Sequence, residues 1–206
     1  MVDDIKRVVL AIAMALITAI SAQLNFKIGP IPYTMQNFGV MLSGFLLGPW
    51  YGLLALLVYV ALIALSLPFA AGGGGLGVLL GPTAGFIYGF AISAFLAGLL
   101  RKMIWRKGVT KEVIMLWLST LIAVIPTYLL GFAVFYSFAV GDAKLLGWAD
   151  SAAKTFGFNL SDPFLIVFTA TVLIFLPQDF FVDHLLAVLV YRYVHEMLKE
   201  RGIEID

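Results

Sequence analysis

No cysteine occurs among the 206 residues, which excludes disulfides, iron–sulfur clusters and thiol catalysis. Charge is nearly as scarce. Asp, Glu, Lys and Arg make up 12% of the chain, against about a quarter in a soluble domain. The 13 basic and 12 acidic residues almost cancel, so no basic surface is available for nucleic acid, and no nucleic-acid partner is expected. A Walker A lysine is missing too, so the chain carries no ATP site of that type. What fills the sequence instead is apolar: 62% of residues are hydrophobic. The lipid bilayer is its solvent, and residues 1–206 are expected to form one all-α, integral membrane bundle.

Six apolar segments stand out, at about 6–24, 35–47, 50–66, 80–100, 112–138 and 177–198. The second and third are parted by Gly48-Pro49, a break with proline suited to a helix start. Pro126 predicts a kink in the fifth. Phe164 to Leu176 is too short to span alone; with the rest of 139–176 it is expected to form an outer lid or a re-entrant piece, or to run on into the sixth helix. Lys6 and Arg7 before an apolar run, with Ile20-Ser21-Ala22 after it, allow a cleavable leader. Asp3, Asp4 and the length of the run favour a retained helix.

Six spans put both termini on one side. Lys6, Arg7, Arg101, Lys102, Arg106, Lys107, Lys111, Arg192, Lys199 and Arg201 fall there, against Lys27, Lys144 and Lys154 opposite. Basic residues favour the cytoplasm, which places both termini on the cytoplasmic side of the cell membrane. The outer connections, 25–34, 67–79 and 139–176, are rich in Pro, Gly or aromatics. Irregular backbone near membrane depth is tolerated where it lines a cavity, so the site is expected to open outward.

The stretch GGGGLGVLLGPTAGF (72–86) contains a formal G-x-G-x-x-G at Gly72, Gly74 and Gly77. A dinucleotide turn needs a strand before it and an acid about 20 residues on. Here an apolar helix precedes it, and the next acid is Glu112. Glycine here instead allows positive φ, so the loop can fold tightly over a ligand or simply turn. Further on, Gly81, Gly85, Gly89, Ser93 and Ala97 recur every fourth residue, a smooth stripe for close helix packing. Ala11, Ala15 and Ala19, beside Ala22, make a second stripe, suited to packing inside the bundle or to docking another protein's helix.

Polar residues inside such a chain are expensive and functional by default. Asp179 and Asp183, four apart, share a face, flanked by Gln178 and His184. Asp179 beside Pro177 can cap a helix; Asp183 and His184 lie too deep for that. In PIPYTMQNFGVML (30–42), Tyr33, Thr34, Gln36 and Asn37 gather at a helix start, and the two amides can read a neutral polar ligand. Phe26, Tyr33, Phe69 and Phe86 offer an apolar wall.

The segments IGPIPYTMQNFGVMLSGFLLGPWYG, LPFAAGGGGLGVLLGPTAGFIYGF and LPQDFFVDHLLA occur in that order. Together they resemble the BioY family, the biotin-binding substrate-capture (S) components of energy-coupling factor (ECF) transporters. The resemblance covers about 8–100 and 173–195; residues 140–172 match little. It rests on the elements around Pro32, Thr34 and Gln36 and from Leu80 to Phe86. It implies a six-helix bundle with an outward biotin pocket, working with a transmembrane coupling protein and two ATPase subunits, with no catalysis or cofactor of its own. It favours docking for Ala11, Ala15 and Ala19. The family pattern G-D-x-x-K reads Gln178, Asp179 and Val182 here. Without that lysine, His184, Lys27 or Lys154 remain to meet a carboxylate.

Ligand contacts are thus expected from Tyr33, Thr34, Gln36, Gly73, Gly75, Gly77, Thr83, Phe86, Asp179, Asp183 and His184. Two alternatives stay open: an S component for another vitamin such as lipoate, and a proton-coupled carrier relaying through Asp179, Asp183 and His184. Geometry disfavours an aspartyl protease, because carboxylates four apart on one helix do not easily straddle a peptide bond.

Overall fold

The first helix, α1 (Val2–Gln23), runs straight into a small antiparallel hairpin, β1 (Asn25–Ile28) and β2 (Ile31–Thr34), paired Asn25 to Thr34 through Ile28 to Ile31. The computed structural model describes residues 2–28, 31–105 and 112–201. The hairpin corrects the expectation of irregular backbone at 25–34. Ile28, Ile31, Tyr33 and Thr34 are strand formers, and pairing satisfies backbone groups that a bare loop would leave to the membrane edge.

Next comes α2 (Gln36–Ala64), whose helical path breaks at Gly48, at φ 75° and ψ −176°. Pro49 then starts a new helical run. The two halves fold back on each other. The Gln36 amide donates to the Tyr59 hydroxyl at 2.7 Å across 23 positions, which a straight helix would hold about 35 Å apart. A Cβ placed on Gly52 would lie 2.9 Å from Gly44 Cα. So α2 is a helical hairpin, and 36–47 and 49–64 correspond to the separate segments expected at 35–47 and 50–66. Glycine at 48 is required, because positive φ strains any residue with a Cβ.

A loop with one short helix, α3 (Leu76–Leu79), leads to α4 (Ala84–Trp105). The small-residue stripe of α4 packs on two neighbours. At Gly89 a Cβ would sit 2.5 Å from Thr127 Cα on α6, and the Ala97 Cβ would lie 2.8 Å from a Cβ placed on Gly44 of α2. The fifth apolar segment divides into α5 (Glu112–Ala123) and α6 (Ile125–Ala139), with Pro126 in the first turn of α6. Then α7 (Ala143–Thr155) starts at Asp142, whose carboxylate accepts from the Lys144 and Leu145 amides.

The last apolar stretch corrects the expected start at 177. It is helical from Pro163 to Glu200, 38 residues, roughly 57 Å of helix, longer than the roughly 30 Å hydrocarbon core. It comprises α8 (Pro163–Phe168), a π-turn Thr169–Leu173, α9 (Leu176–Gln178), a second π-turn Asp179–His184 and α10 (Leu185–Glu200). Its first part packs on α6 and α7, and its second part on α2 and α5. Of the alternatives for 139–176, the one observed is Phe164 to Leu176 running on into the last helix, preceded by α7. Among the described residues five helices are long and apolar enough to cross a membrane; counting the hairpin's two halves gives six apolar segments. Arg106, Lys107 and Lys111 of the charge tally lie outside the described residues.

Candidate ligand-binding site

A cavity of about 280 Å³ opens between β2, the start of α2, the loop before α4, α6 and the second π-turn. That is near the lower end of small-molecule pockets, about 300 Å³. Apolar walls come from Ile31, Val78, Phe86, Ile87, Phe90 and Phe175, and the loop contributes backbone at Gly72, Gly77 and Gly81. Polar groups gather at one place, where Thr34, Gln36 and Asn37 meet Tyr128, Gln178 and Asp179.

Asp179 is 4% exposed and held from one side. Its Oδ2 accepts from the Asn37 amide at 2.5 Å and from the Tyr128 hydroxyl. Its Oδ1 takes no hydrogen bond from a described residue and is not sealed in, so it faces the cavity. Beside it, Asn37 Oδ1 and Gln178 Oε1 are buried acceptors without a donor. The Gln178 amide donates to Asp183 Oδ1 at 2.9 Å and to the Thr34 carbonyl at 3.3 Å. Asn37 Oδ1 and Gln178 Oε1 are closed off from the cavity, so Asp179 Oδ1 is the one of these acceptors that opens on it. An acceptor left unpaired at a buried site costs about 1–3 kcal/mol, which suits a ligand that brings an N–H or O–H group.

A second set of bonds ties the cavity together. Thr34 Oγ1 accepts from the Gln36 backbone amide at 3.2 Å and donates to Gln36 Oε1 at 3.0 Å. Gln36 Nε2 reaches Tyr59, whose hydroxyl donates to the Phe69 carbonyl at 3.1 Å. Through these contacts the covering loop is anchored to the start of α2.

Of the residues expected to touch a ligand, Thr34, Gln36, Gly77, Thr83, Phe86 and Asp179 line this cavity. Five do not. Tyr33 turns away, stacking on Phe175 at 4.3 Å and donating to the Ile174 carbonyl. Burial raises its phenol above the ordinary value, and the Asp179 carboxylate adds to the shift, so it stays a hydroxyl. Gly73 and Gly75, at φ 112° and 87°, shape the loop from behind. Asp183 braces the wall, accepting from the Phe38 backbone amide at 3.3 Å and from Gln178. His184 is fully buried with neither ring nitrogen bonded to a described residue.

The π-turn explains these last positions. Its i to i+5 repeat puts Asp183 and His184 inward, both 0% exposed, and swings Val182 outward to 47%. Lys154 pairs with Asp150 on α7 at 2.6 Å and lies outside the lining. The side chains of Phe26 and Lys27 lie outside the described residues, and Phe69 gives only its carbonyl. Tyr128, Thr127 and Phe175 enter the lining without having been singled out in the sequence. Tyr128 follows Pro126 by two positions, which is the one local clue.

The alanine stripe is also corrected. Ala11, Ala15 and Ala19 are 0%, 0% and 4% exposed. They face α2, where a Cβ on Gly39 would lie 2.8 Å from Thr18 Cα. In this structure they pack the bundle and offer no docking surface.

Known proteins resemble the chain along most of its length. The BioY family profile matches residues 1–200. A probable biotin transporter BioY of Pyrococcus horikoshii is 39% identical over 127 residues, 61% of this chain and 72% of that protein. The biotin transporter BioY of Rhodobacter capsulatus is 51% identical over 77 residues, covering 37% of this chain and 40% of its own length. That of Thermotoga maritima is 48% identical over 82 residues, 39% and 48% respectively. The latter two matches span less than half of those relatives. A crystal structure at 2.1 Å of the S-component for biotin from an ECF-type ABC transporter superposes with a TM-score of 0.71 and 26% identity, covering 94% of this chain and 93% of that one.

Proposed function

The chain belongs to the BioY family, and from that premise we propose that it captures biotin as the S component of an ECF-type transporter. The observation that carries this reading is the Asp179 carboxylate, pinned through Oδ2 and open to the cavity through Oδ1. Biotin's cyclic urea brings two N–H donors on a small rigid ring. One of these N–H groups meets Asp179 Oδ1. The rest of the bicycle lies against Phe86, Phe90 and Phe175.

Capture precedes transport. Ligand enters from the outer face, and the loop before α4 closes over it, held by the Tyr59 to Phe69 bond. A transmembrane coupling protein and two ATPase subunits then supply the energy, because this chain performs no catalysis. The protein resides in the cell membrane with both termini in the cytoplasm. The proton-carrier alternative needs a relay through His184, and His184 bonds to neither Asp179 nor Asp183.

A thermal-shift panel on the purified chain tests the ligand. Biotin is expected to raise the Tm, since a ligand that binds only the folded state at about 100 times its Kd adds about 2.7 kcal/mol. Lipoate and thiamine are expected to leave it unchanged. A shift with lipoate or thiamine and none with biotin overturns the reading. In protein-only vesicles a pH gradient is expected to drive no biotin accumulation.

A further inference from the structure

We propose that the cavity reads only the neutral ring end of its ligand and leaves the acid end unrecognised, so that a carboxyl-blocked biotin is captured as well as biotin itself. The proposal rests on the biotin reading and adds a specificity that reading does not require.

Three observations carry it. First, among the described residues lining the cavity the only ionisable groups are Asp179 and the Tyr128 hydroxyl bonded to it, and no lining side chain is cationic. Second, the cations whose side chains are described, a set that leaves out Lys27, lie elsewhere. Lys154 is paired on α7. Arg101 is buried against Tyr191, 5.9 Å from the ring centre, and Lys102 lies beside the Gly48 turn. His184 is sealed behind the wall, and Val182 points away from it. Third, the loop that covers the cavity has no ionisable side chain from Leu65 to Thr83.

These fix the ligand's direction. A carboxylate repels Asp179, because like charges at short range in a low-dielectric site disfavour each other. The urea end therefore goes to Asp179, and the valerate tail runs toward the loop. There it meets Ala70, Ala71 and the backbone of Gly72 and Gly77, none of which carries a charge to set against a carboxylate.

The test is a calorimetric titration of the purified full chain with three compounds: biotin, its primary amide, and biotin methylated on one urea nitrogen. The amide is expected to bind within about threefold of biotin, and the methylated ring to lose about tenfold or more, the cost of one charge-assisted hydrogen bond. If biotin binds and the amide loses more than about tenfold, the acid is read and the proposal fails while biotin capture stands. If the methylated ring binds as well as biotin, the orientation is wrong and the proposal fails. If biotin itself does not bind, the biotin reading falls with it.

Discussion

At Asp179 the two carboxylate oxygens have separate duties. Oδ2 is pinned by Asn37 and Tyr128, and the pinned geometry aims Oδ1 at the cavity before any ligand arrives. Such preorganisation limits what ordering costs on binding. Removing one pin loosens the aim without removing the acceptor. Tyr128→Phe is therefore expected to weaken biotin by roughly fivefold, about 1 kcal/mol, measured by titration at unchanged fold. A second residue acts from a distance. Tyr59 links Gln36 to the Phe69 carbonyl, so Tyr59→Phe unties the covering loop. The expected result is faster biotin release in a stopped-flow chase, by a few-fold for about 1 kcal/mol, with little change in association rate. Equal slowing of both rates contradicts the anchoring role.

Between elements, the close contacts of α4 set the frame around the site. A side chain at Gly89 would press on Thr127 Cα and the Pro126 carbonyl, which are backbone and cannot step aside. Gly89→Val is expected to cost about 1–3 kcal/mol, seen as a lower Tm in detergent; an unchanged Tm contradicts the close approach of α4 and α6. That contact was legible in the sequence, because a four-residue spacing of small residues maps directly onto one helix face. So was the α2 hairpin, because Gly48-Pro49 interrupts an otherwise unbroken apolar run. The β-hairpin at 25–34 was not. Two four-residue strands carry too short a pattern to outweigh the Pro and Gly around them. The π-turn at Asp179–His184 was equally hidden. Four-residue spacing put Asp179 and Asp183 on one face, whereas a one-residue widening of the turn seats Asp183 behind the wall and expels Val182. Of the cavity-lining residues, those close in sequence, Thr34 and Gln36, were readable, and Tyr128 was not, because only the packing of α6 brings it to Asp179.

Across the whole molecule, the alanine stripe of α1 shows how one pattern serves two purposes. Small residues at every fourth position permit close approach to any helix, and here the partner is the chain's own α2. Ala15→Leu is accordingly expected to lower the Tm of the isolated protein, as overpacking of a filled contact does. If Ala15→Leu leaves the Tm intact and abolishes only assembly with a coupling protein, the stripe is a docking face and the packing account is wrong. The apolar exterior, the cavity and the uncharged covering loop suit an S component of the BioY family. The proposed reading turns on one carboxylate, Asp179, orienting the ligand's ring at the polar end of the cavity. Equilibrium titration of biotin into the wild-type chain and Asp179→Asn tests this most directly. The account predicts a single site in the wild type and a loss of about tenfold or more in the variant, in keeping with a hydrogen bond to a charged group; equal affinity in the two proteins would contradict it.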